Sequence, residues 1–406
     1  MIGFSQTTSA AFQMTNGTNK VFHSEVPSMF MMLPQTQTTF TLGSQSVISL
    51  NKLGATAANS GRYMWLTTAD NGFLYGFHFS LLNNVIKIDP VRKTFTTFGS
   101  VSNSVRCAIK GVDGRIYGIP SGGSTIAVIN PANDTVSTFG TITSVTNGYW
   151  SGALAPNGII YAPPYAATPI MKINTNNSTV STFGNLGAGN KYISATLAPN
   201  GKIYCAPYAL NTILVINPAD DSTYTITIPN DLIGNKGSQR FYGSKLGYDG
   251  RIYCFNYGAS RMLIIDPSND TISTTSTFGY FNPSYTTFSL GSMGYGGVAA
   301  NGKMYISVGF ASRPDWVFPR ELDIYKQTLS SVLFGQPVND ITLDLSSTPF
   351  GNGCLAPNGE IYFAPSRSSH IIYISGLPPA TEDMWKTPTD ISKIHLSRYN
   401  IHSNGA

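Results

Sequence analysis

Six aromatic residues stand at nearly equivalent places along the chain, and their rings could stack on a sugar or on a partner's side chain. Each of them precedes, by six to eight residues, an Asn or Asp that is followed by glycine. They are Tyr63, Trp150, Tyr192, Tyr242, Tyr295 and Phe350. Such rings are typical of binding surfaces because they supply large, rigid contact areas. The sequence leaves open the alternative that they pack between neighbouring structural units.

Basic residues in the stretches around these aromatics could add polar contacts to a ligand. They are Arg240, Lys245, Arg261, Arg313 and Arg320. Trp316 stands within an insertion, Ser307–Arg320, beside Asp315. An aromatic residue flanked by opposite charges in a long loop indicates an interface anchor. A local packing role for Trp316 remains the alternative.

Residues that could support catalysis or hold a metal are sparse and scattered. His23, His395 and His402 lie outside the repeated part of the chain, and only His78 and His370 lie in loops within it. The short runs before each glycine pair offer mainly Ala, Leu, Gly, Thr and Val. The four cysteines have no zinc-site spacing, so we expect reduced, buried thiols. We predict no catalytic residue, no metal and no cofactor.

These residues belong to a unit that recurs seven times along the chain. Its anchors are the pairs Asn71-Gly72, Asp113-Gly114, Asn157-Gly158, Asn200-Gly201, Asp249-Gly250, Asn301-Gly302 and Asn358-Gly359. Successive anchor glycines are separated by 42 to 57 residues, which is typical of four-stranded propeller blades. Each anchor predicts a type I′ hairpin turn, and a tyrosine follows it in every copy.

The last copy, Leu355–Gly376, predicts three strands where the others predict four. The Thr-rich segment Thr38–Gly43 matches the missing fourth strand, so we expect it to pair beside Ile371–Ser375 and close a ring. The prediction is an all-β, seven-bladed β-propeller with four-stranded blades over residues 38–376. Residues 1–37 form an N-terminal arm and residues 377–406 a polar tail.

The N-terminal arm ends in an apolar stretch that could dock into a partner. Its candidate docking residues are Met29, Phe30, Met31, Met32 and Leu33. Methionine suits an adaptable interface because its side chain is flexible and polarizable. Packing of this stretch against the propeller is the alternative.

Composition narrows the possible partners. Charged residues make up 11% of the chain, against about 25% in typical soluble proteins, and the net charge of +5 forms no basic run. We therefore expect no nucleic-acid binding. No apolar run approaches the ~18 residues of a membrane span, and the start lacks the pattern of a secretory signal. We expect a protein made in the cytoplasm, without membrane insertion.

The segment Leu197–Pro218, LAPNGKIYCAPYALNTILVINP, resembles the repeats of kelch-like and lactonase-like seven-bladed propellers. That resemblance implies the fold, but it transfers no catalytic residue because the channel-lining acids of the enzymatic families are missing. The Asn-, Ser-, Thr- and Gly-rich composition is similar to that of virion proteins of tailed bacteriophages. It implies a virion location, with the cytoplasm as the alternative.

The leading hypothesis is a non-enzymatic binding and assembly module on a phage tail, fibre or capsid surface. Its partners would be other structural proteins and a host surface glycan. A metal-dependent propeller enzyme of lactonase or lyase type is the competing hypothesis. An extracellular carbohydrate-binding propeller is the third.

Overall fold

The regular secondary structure in the described part of the chain is almost wholly β-strand. The computed structural model describes residues 3–6, 11–15, 20–23, 49–55, 63–79, 84–144, 146–233, 240–256, 261–275, 293–298, 302–308, 320–323, 328–331, 350–366 and 370–377. One four-residue helix, α1 (Asn230–Ile233), interrupts the strands of these segments. The predicted all-β class is confirmed.

The strands form sheets of four, apart from a three-stranded sheet at the start. That first sheet contains β1 (Gly3–Gln6), β2 (Ala11–Thr15) and β3 (Lys20–His23), and it is followed by β4 (Ser49–Ala55). Blade 1 contains β5 (Thr67–Thr68), β6 (Leu74–Phe77), β7 (Val85–Asp89) and β8 (Thr94–Phe98). Blade 2 contains β9 (Ser104–Lys110), β10 (Ile116–Gly122), β11 (Ile126–Asn130) and β12 (Thr135–Phe139). Blade 3 contains β13 (Ala153–Leu154), β14 (Ile159–Ala162), β15 (Ile170–Asn174) and β16 (Thr179–Phe183).

The remaining sheets follow the same pattern. Blade 4 contains β17 (Tyr192–Leu197), β18 (Ile203–Pro207), β19 (Thr212–Asn217) and β20 (Ser222–Thr227). Blade 5 contains β21 (Phe241–Leu246), β22 (Ile252–Asn256), β23 (Leu263–Asp266) and β24 (Thr271–Thr274). Blade 6 contains β25 (Met293–Val298), β26 (Met304–Val308), β27 (Arg320–Asp323) and β28 (Thr328–Ser331). The closing sheet joins β29 (Phe350–Leu355), β30 (Ile361–Pro365) and β31 (His370–Ser375) to β4.

The four-stranded sheets are arranged radially, as in a β-propeller. Six blades use four consecutive strands each, and the closing sheet combines segments from both ends of the described chain. The first strands of neighbouring sheets touch in sequence: β5 with β9, then β13, β17, β21, β25, β29 and β5 again. The first strands therefore surround a central channel. The predicted propeller with four-stranded blades is confirmed.

The closing strand is not the one predicted. β4 pairs antiparallel with β31, with Leu53 opposite Ile371 and Ser49 opposite Ser375. Leu50 and Leu53 are buried while Lys52 is exposed, and Leu53 packs in one hydrophobic cluster with Ile371. Thr38–Gly43 lies outside the described residues. Its Thr-rich pattern matched the other outer strands, but the strand that pairs with β31 is β4, which buries Leu50 and Leu53.

The anchor turns also differ from the prediction. In the described pairs the glycine has positive φ, for example 83° at Gly72, and the preceding Asn or Asp does not. The Gly72 amide donates to the Ala69 carbonyl at 3.0 Å, and the Ala69 amide donates to the Phe73 carbonyl at 2.9 Å. Each hairpin loop thus has three residues ending in a left-handed glycine, so type I′ was wrong.

Because successive strands of a blade run in opposite directions, the connections between them lie on two opposite faces of the propeller. The anchor turns and the connections between third and fourth strands share one face, which we call the turn face. The opposite face, where each first strand begins, is called the mouth face. The anchor tyrosines are buried and reach the next blade at the turn face: Tyr75 donates to Asp134 and Tyr161 to Asp221, both at 2.8 Å. Hydrogen bonds therefore join neighbouring blades at the turn face.

Candidate functional site

Four of the six predicted aromatics are buried, and one is partly exposed. Tyr63, Trp150, Tyr192 and Phe350 are buried, whereas Tyr242 retains part of its surface. Tyr295 belongs to β25, but its side chain lies outside the description. Trp316, Arg313 and the docking residues Met29, Phe30, Met31, Met32 and Leu33 also lie outside the described residues.

Tyr63 and Tyr192 are held within the propeller. The Tyr63 hydroxyl donates to Asn84 Oδ1 at 2.5 Å, and its ring meets His78 edge to face at 5.0 Å. Tyr192 packs among the aliphatic residues of blades 3 and 4. His78, which the sequence placed in a loop, forms an isolated β-bridge with Tyr63 and is 3% exposed. These contacts match the packing alternative for both tyrosines.

Trp150 is the centre of a larger aromatic cluster at the mouth face. Its ring stacks on Tyr165, with centroids 4.4 Å apart and planes 19° apart. Tyr208 and Tyr242 approach it at 6.1 and 6.0 Å. Tyr165 follows β14, Tyr208 follows β18, and Tyr242 lies in β21. Blades 3, 4 and 5 therefore bring their rings together. The ring of Trp150 on blade 3 contacts that of Tyr242 on blade 5, although blade 4 lies between these two blades.

Arg106 of β9 adds a cation to this cluster. Its guanidinium carbon lies 3.8 Å from the Trp150 ring centroid and 4.0 Å from that of Phe79. Nε donates to Ser121 Oγ at 3.0 Å, and a terminal nitrogen donates to Asn147 Oδ1 at 3.2 Å. Contacts with both rings and these two hydrogen bonds hold this guanidinium in place.

A second arginine, Arg240, lies at the start of β21. Its backbone amide donates to the Tyr208 carbonyl at 2.7 Å, which ties the segment to the cluster. The buried Nε of Arg240 has no hydrogen-bond partner among the described residues, and neither does Nε1 of Trp150. Both atoms are donors only. The site therefore holds two buried N–H groups that lack an acceptor in the described part of the chain.

We call Arg106, Trp150, Tyr165, Tyr208, Arg240 and Tyr242 the mouth patch. Trp150, Tyr242 and Arg240 were predicted, while Arg106, Tyr165 and Tyr208 were missed. Signals for the missed residues exist in the sequence. Arg106 stands seven residues before Asp113, the same offset that places Trp150 before Asn157, and both tyrosines follow proline at the end of a second strand. Arg261, also predicted, lies just before β23 on the same face.

Lys245 occupies the channel instead of a loop. It belongs to β21, is 4% exposed, and places Nζ 5.2 Å from the ring centroid of Trp65 on the opposite side of the ring of blades. Arg320, also expected in a loop, belongs to β27. Burial lowers the pKa of Lys245 to about 8. Burial raises the pKa of the neighbouring thiols, to about 12 for Cys107 and about 11 for Cys354.

The cysteines form no disulfide bond, and the metal-binding side chains of the described residues do not come together. All four cysteines are buried and free of disulfide bonds, as predicted. No group of three or more His, Cys, Asp or Glu residues in the described ranges is placed to hold a metal ion. Within the same ranges, no helix is long and apolar enough to cross a membrane.

Comparison with known proteins adds information about the fold. No protein-family model and no curated protein sequence matches the chain. Among solved structures, a streptogramin B lyase is similar at 13% identity and a TM-score of 0.63, with 82% of this chain and 99% of that one covered. An inactivated virginiamycin B lyase from Staphylococcus aureus with quinupristin is 15% identical, with a TM-score of 0.62 and coverage of 80% and 99%.

An extracellular domain is similar as well. This domain, from a hybrid two-component system of Bacteroides thetaiotaomicron, is 12% identical with a TM-score of 0.59. The match covers 80% of this chain and 39% of that one. At such identities the likeness concerns architecture alone. The chain is a β-propeller whose structural neighbours include a lyase and extracellular domains of two-component systems.

Proposed function

We propose that this protein is a non-enzymatic, ligand-binding β-propeller, in which the closing sheet acts as a seventh blade and the mouth patch is the binding site. One observation carries the proposal: four blades bring arginine and aromatic side chains together at the channel mouth. Long connections on a rigid scaffold are common places for binding sites. The radial blades supply that scaffold.

The ligand we propose is a saccharide. Tyr242 is partly exposed, and its ring offers a surface on which the C–H face of a sugar can stack. Both faces of Trp150 are approached, by Arg106 and by Tyr165, so Trp150 supports the site instead of serving as an open platform. Hydroxyl groups of a sugar would supply acceptors to the N–H groups of the patch.

A glycan array probed with the purified protein tests this function. We expect binding to a subset of saccharides, and we expect Tyr242→Ala to weaken it roughly tenfold because stacking area is lost. Tyr224→Ala is the matched control: Tyr224 lies on the outer strand β20, is 36% exposed and donates to Asp270. Equal affinity of both variants, with unchanged circular dichroism, would contradict the proposal.

For the setting we propose a phage virion, where the patch would contact a host surface glycan and other parts would contact neighbouring structural proteins. The low content of charged residues and the polar composition support this setting. Mass spectrometry of purified particles tests it. Peptides of this chain at stoichiometric abundance would support a virion location, and their absence from particles but presence in the lysate would overturn it.

An enzyme of lactonase or lyase type is the second candidate. The fold shared with two lyase structures favours it, as does the buried amine of Lys245 in the channel. Incubation with a panel of lactones and cyclic depsipeptides, with and without Mg²⁺ or Ca²⁺, tests this candidate. Turnover that Lys245→Met abolishes would favour the enzyme over the binding module.

A further inference from the structure

We infer that the saccharide bound at the mouth patch is acidic, carrying a carboxylate that is received by the arginines of the patch. This inference rests on the proposed function and names the chemical class of its ligand. Three features of the described residues support it: the uneven distribution of carboxylates between the two faces, the buried donors of the patch, and the lysine beneath it.

Carboxylates are divided unevenly between the two faces, whereas cations occur on both. Carboxylates cluster at the turn face, namely Asp70, Asp89, Asp113, Asp134, Asp220, Asp221, Asp249, Asp266, Asp270 and Glu360. Several are paired there, such as Asp134 with Lys87 at 2.6 Å. In the described loops of the mouth face, Asp231 is the single carboxylate, against the cations Lys191, Arg240 and Arg261. An anion approaching the mouth face meets mainly positive charge.

The donors of the patch match a carboxylate better than a neutral hydroxyl. Arg240 Nε and Trp150 Nε1 are buried N–H groups without an acceptor among the described residues, and a buried donor left in that state is unfavourable. A carboxylate has two oxygens that accept hydrogen bonds and is the usual partner of a guanidinium. Arg106 is already oriented by Phe79 and Trp150, so little order is lost when an anion binds it.

Lys245 adds a positive charge beneath the patch. Lys245 and Tyr242 belong to the same strand, β21, which runs from the mouth face to the turn at Asp249. Lys245 is three residues closer to that turn, so it lies deeper in the channel than Tyr242. The titratable groups that face it include the thiols of Cys107 on β9 and Cys354 on β29, and burial keeps both protonated at neutral pH. A nearby anion would stabilise the ammonium form, so binding should draw a proton onto the protein when the amine is partly neutral.

Matched saccharides that differ in one group provide the test. Oligoglucuronate and its carboxyl-reduced counterpart, an oligoglucoside, are titrated into the full chain by calorimetry. We expect the acid to bind at least tenfold more tightly at low salt, and its affinity to fall as NaCl increases. At about pH 8, titrations in buffers of different ionisation heat should show proton uptake with the acid.

Two variants connect the preference to the patch. Arg240→Gln should reduce the affinity for the acid roughly tenfold or more and leave the affinity for the neutral sugar nearly unchanged. Arg251→Gln is the matched control, because Arg251 lies on the turn face and pairs with Asp249 at 2.7 Å. Arg240→Lys should recover part of the loss. Circular dichroism verifies that each variant folds.

The outcomes distinguish the acidic ligand from the more general saccharide-binding function. Equal affinity for the acid and the neutral sugar overturns the acidic ligand and leaves the saccharide-binding function standing. Binding of a polyglutamate peptide, with neither sugar bound, overturns the saccharide in favour of an acidic protein segment. If none of the three binds, the site is not a saccharide site and both fail.

Discussion

The side-chain amide of Asn358 in the closing sheet donates to the carbonyl of Pro90 in blade 1, at 3.0 Å. The same bond links consecutive blades elsewhere, from Asn71 to Pro131 at 2.8 Å, Asn157 to Pro218 at 3.0 Å and Asn200 to Pro267 at 2.7 Å. The anchor amide therefore does more than shape its own turn. It connects each such blade to the next, including the junction where the two ends of the propeller meet.

Replacing one of these amides tests the link. In Asn157→Asp the carboxylate can still accept from the Ile159 amide, as Asn157 Oδ1 does at 3.0 Å, but it cannot donate to Pro218. We expect the free energy of unfolding to fall by roughly 1 kcal/mol, measured by urea denaturation. Asn177→Asp is the control because Asn177 only accepts, from Thr179 Oγ1 at 2.7 Å. Equal stability of the two variants would show that the link contributes nothing.

Ring closure by β4 makes a second prediction. Leu53 is 4% exposed and lies opposite Ile371, so Leu53→Ala should lower the free energy of unfolding by about 2–5 kcal/mol. Lys52, the preceding residue in the same strand, is exposed, and Lys52→Ala should change stability by less than about 0.5 kcal/mol. Thermal and urea unfolding measure both. A tolerated Leu53→Ala would mean that β4 does not complete the sheet.

The buried amine of Lys245 makes stability depend on pH. Because burial lowers its pKa to about 8, the folded protein holds this proton less tightly than the unfolded chain does. Stability attributable to this group therefore rises with pH between about 8 and the ordinary lysine value near 10.4. We expect Lys245→Met to stabilise the protein by roughly 2 kcal/mol at pH 7 and by less at about pH 9.5. A difference that stays constant with pH would contradict the burial of a charged amine.

The repeat length predicted the blades because every copy carries the same two structural features. Its anchor glycine adopts the left-handed backbone conformation in a turn, and its tyrosine fills a buried site. Gly72 and Tyr75 show this pairing of turn and core. The closing strand was harder to predict. β4 lacks the Thr-rich pattern of the other outer strands, and its partner strand begins more than 300 residues later.

The candidate site was predicted in part. Trp150 and Tyr242 were found because they share an offset from their anchors, but the offset does not say which rings are accessible. Tyr165 and Tyr208 join them through connections on different blades, a proximity that only the closed arrangement of blades creates. Lys245 was expected in a loop because the register of β21 relative to the channel is not visible in its sequence.

A crystal structure of the full chain with an oligoglucuronate bound would locate the binding site directly. We predict electron density at the channel mouth, with a carboxylate within hydrogen-bonding distance of Arg240 or Arg106 and a sugar ring against Tyr242. Density confined to the turn face or to the outer strands, with the mouth patch unchanged, would contradict the assignment of the binding site.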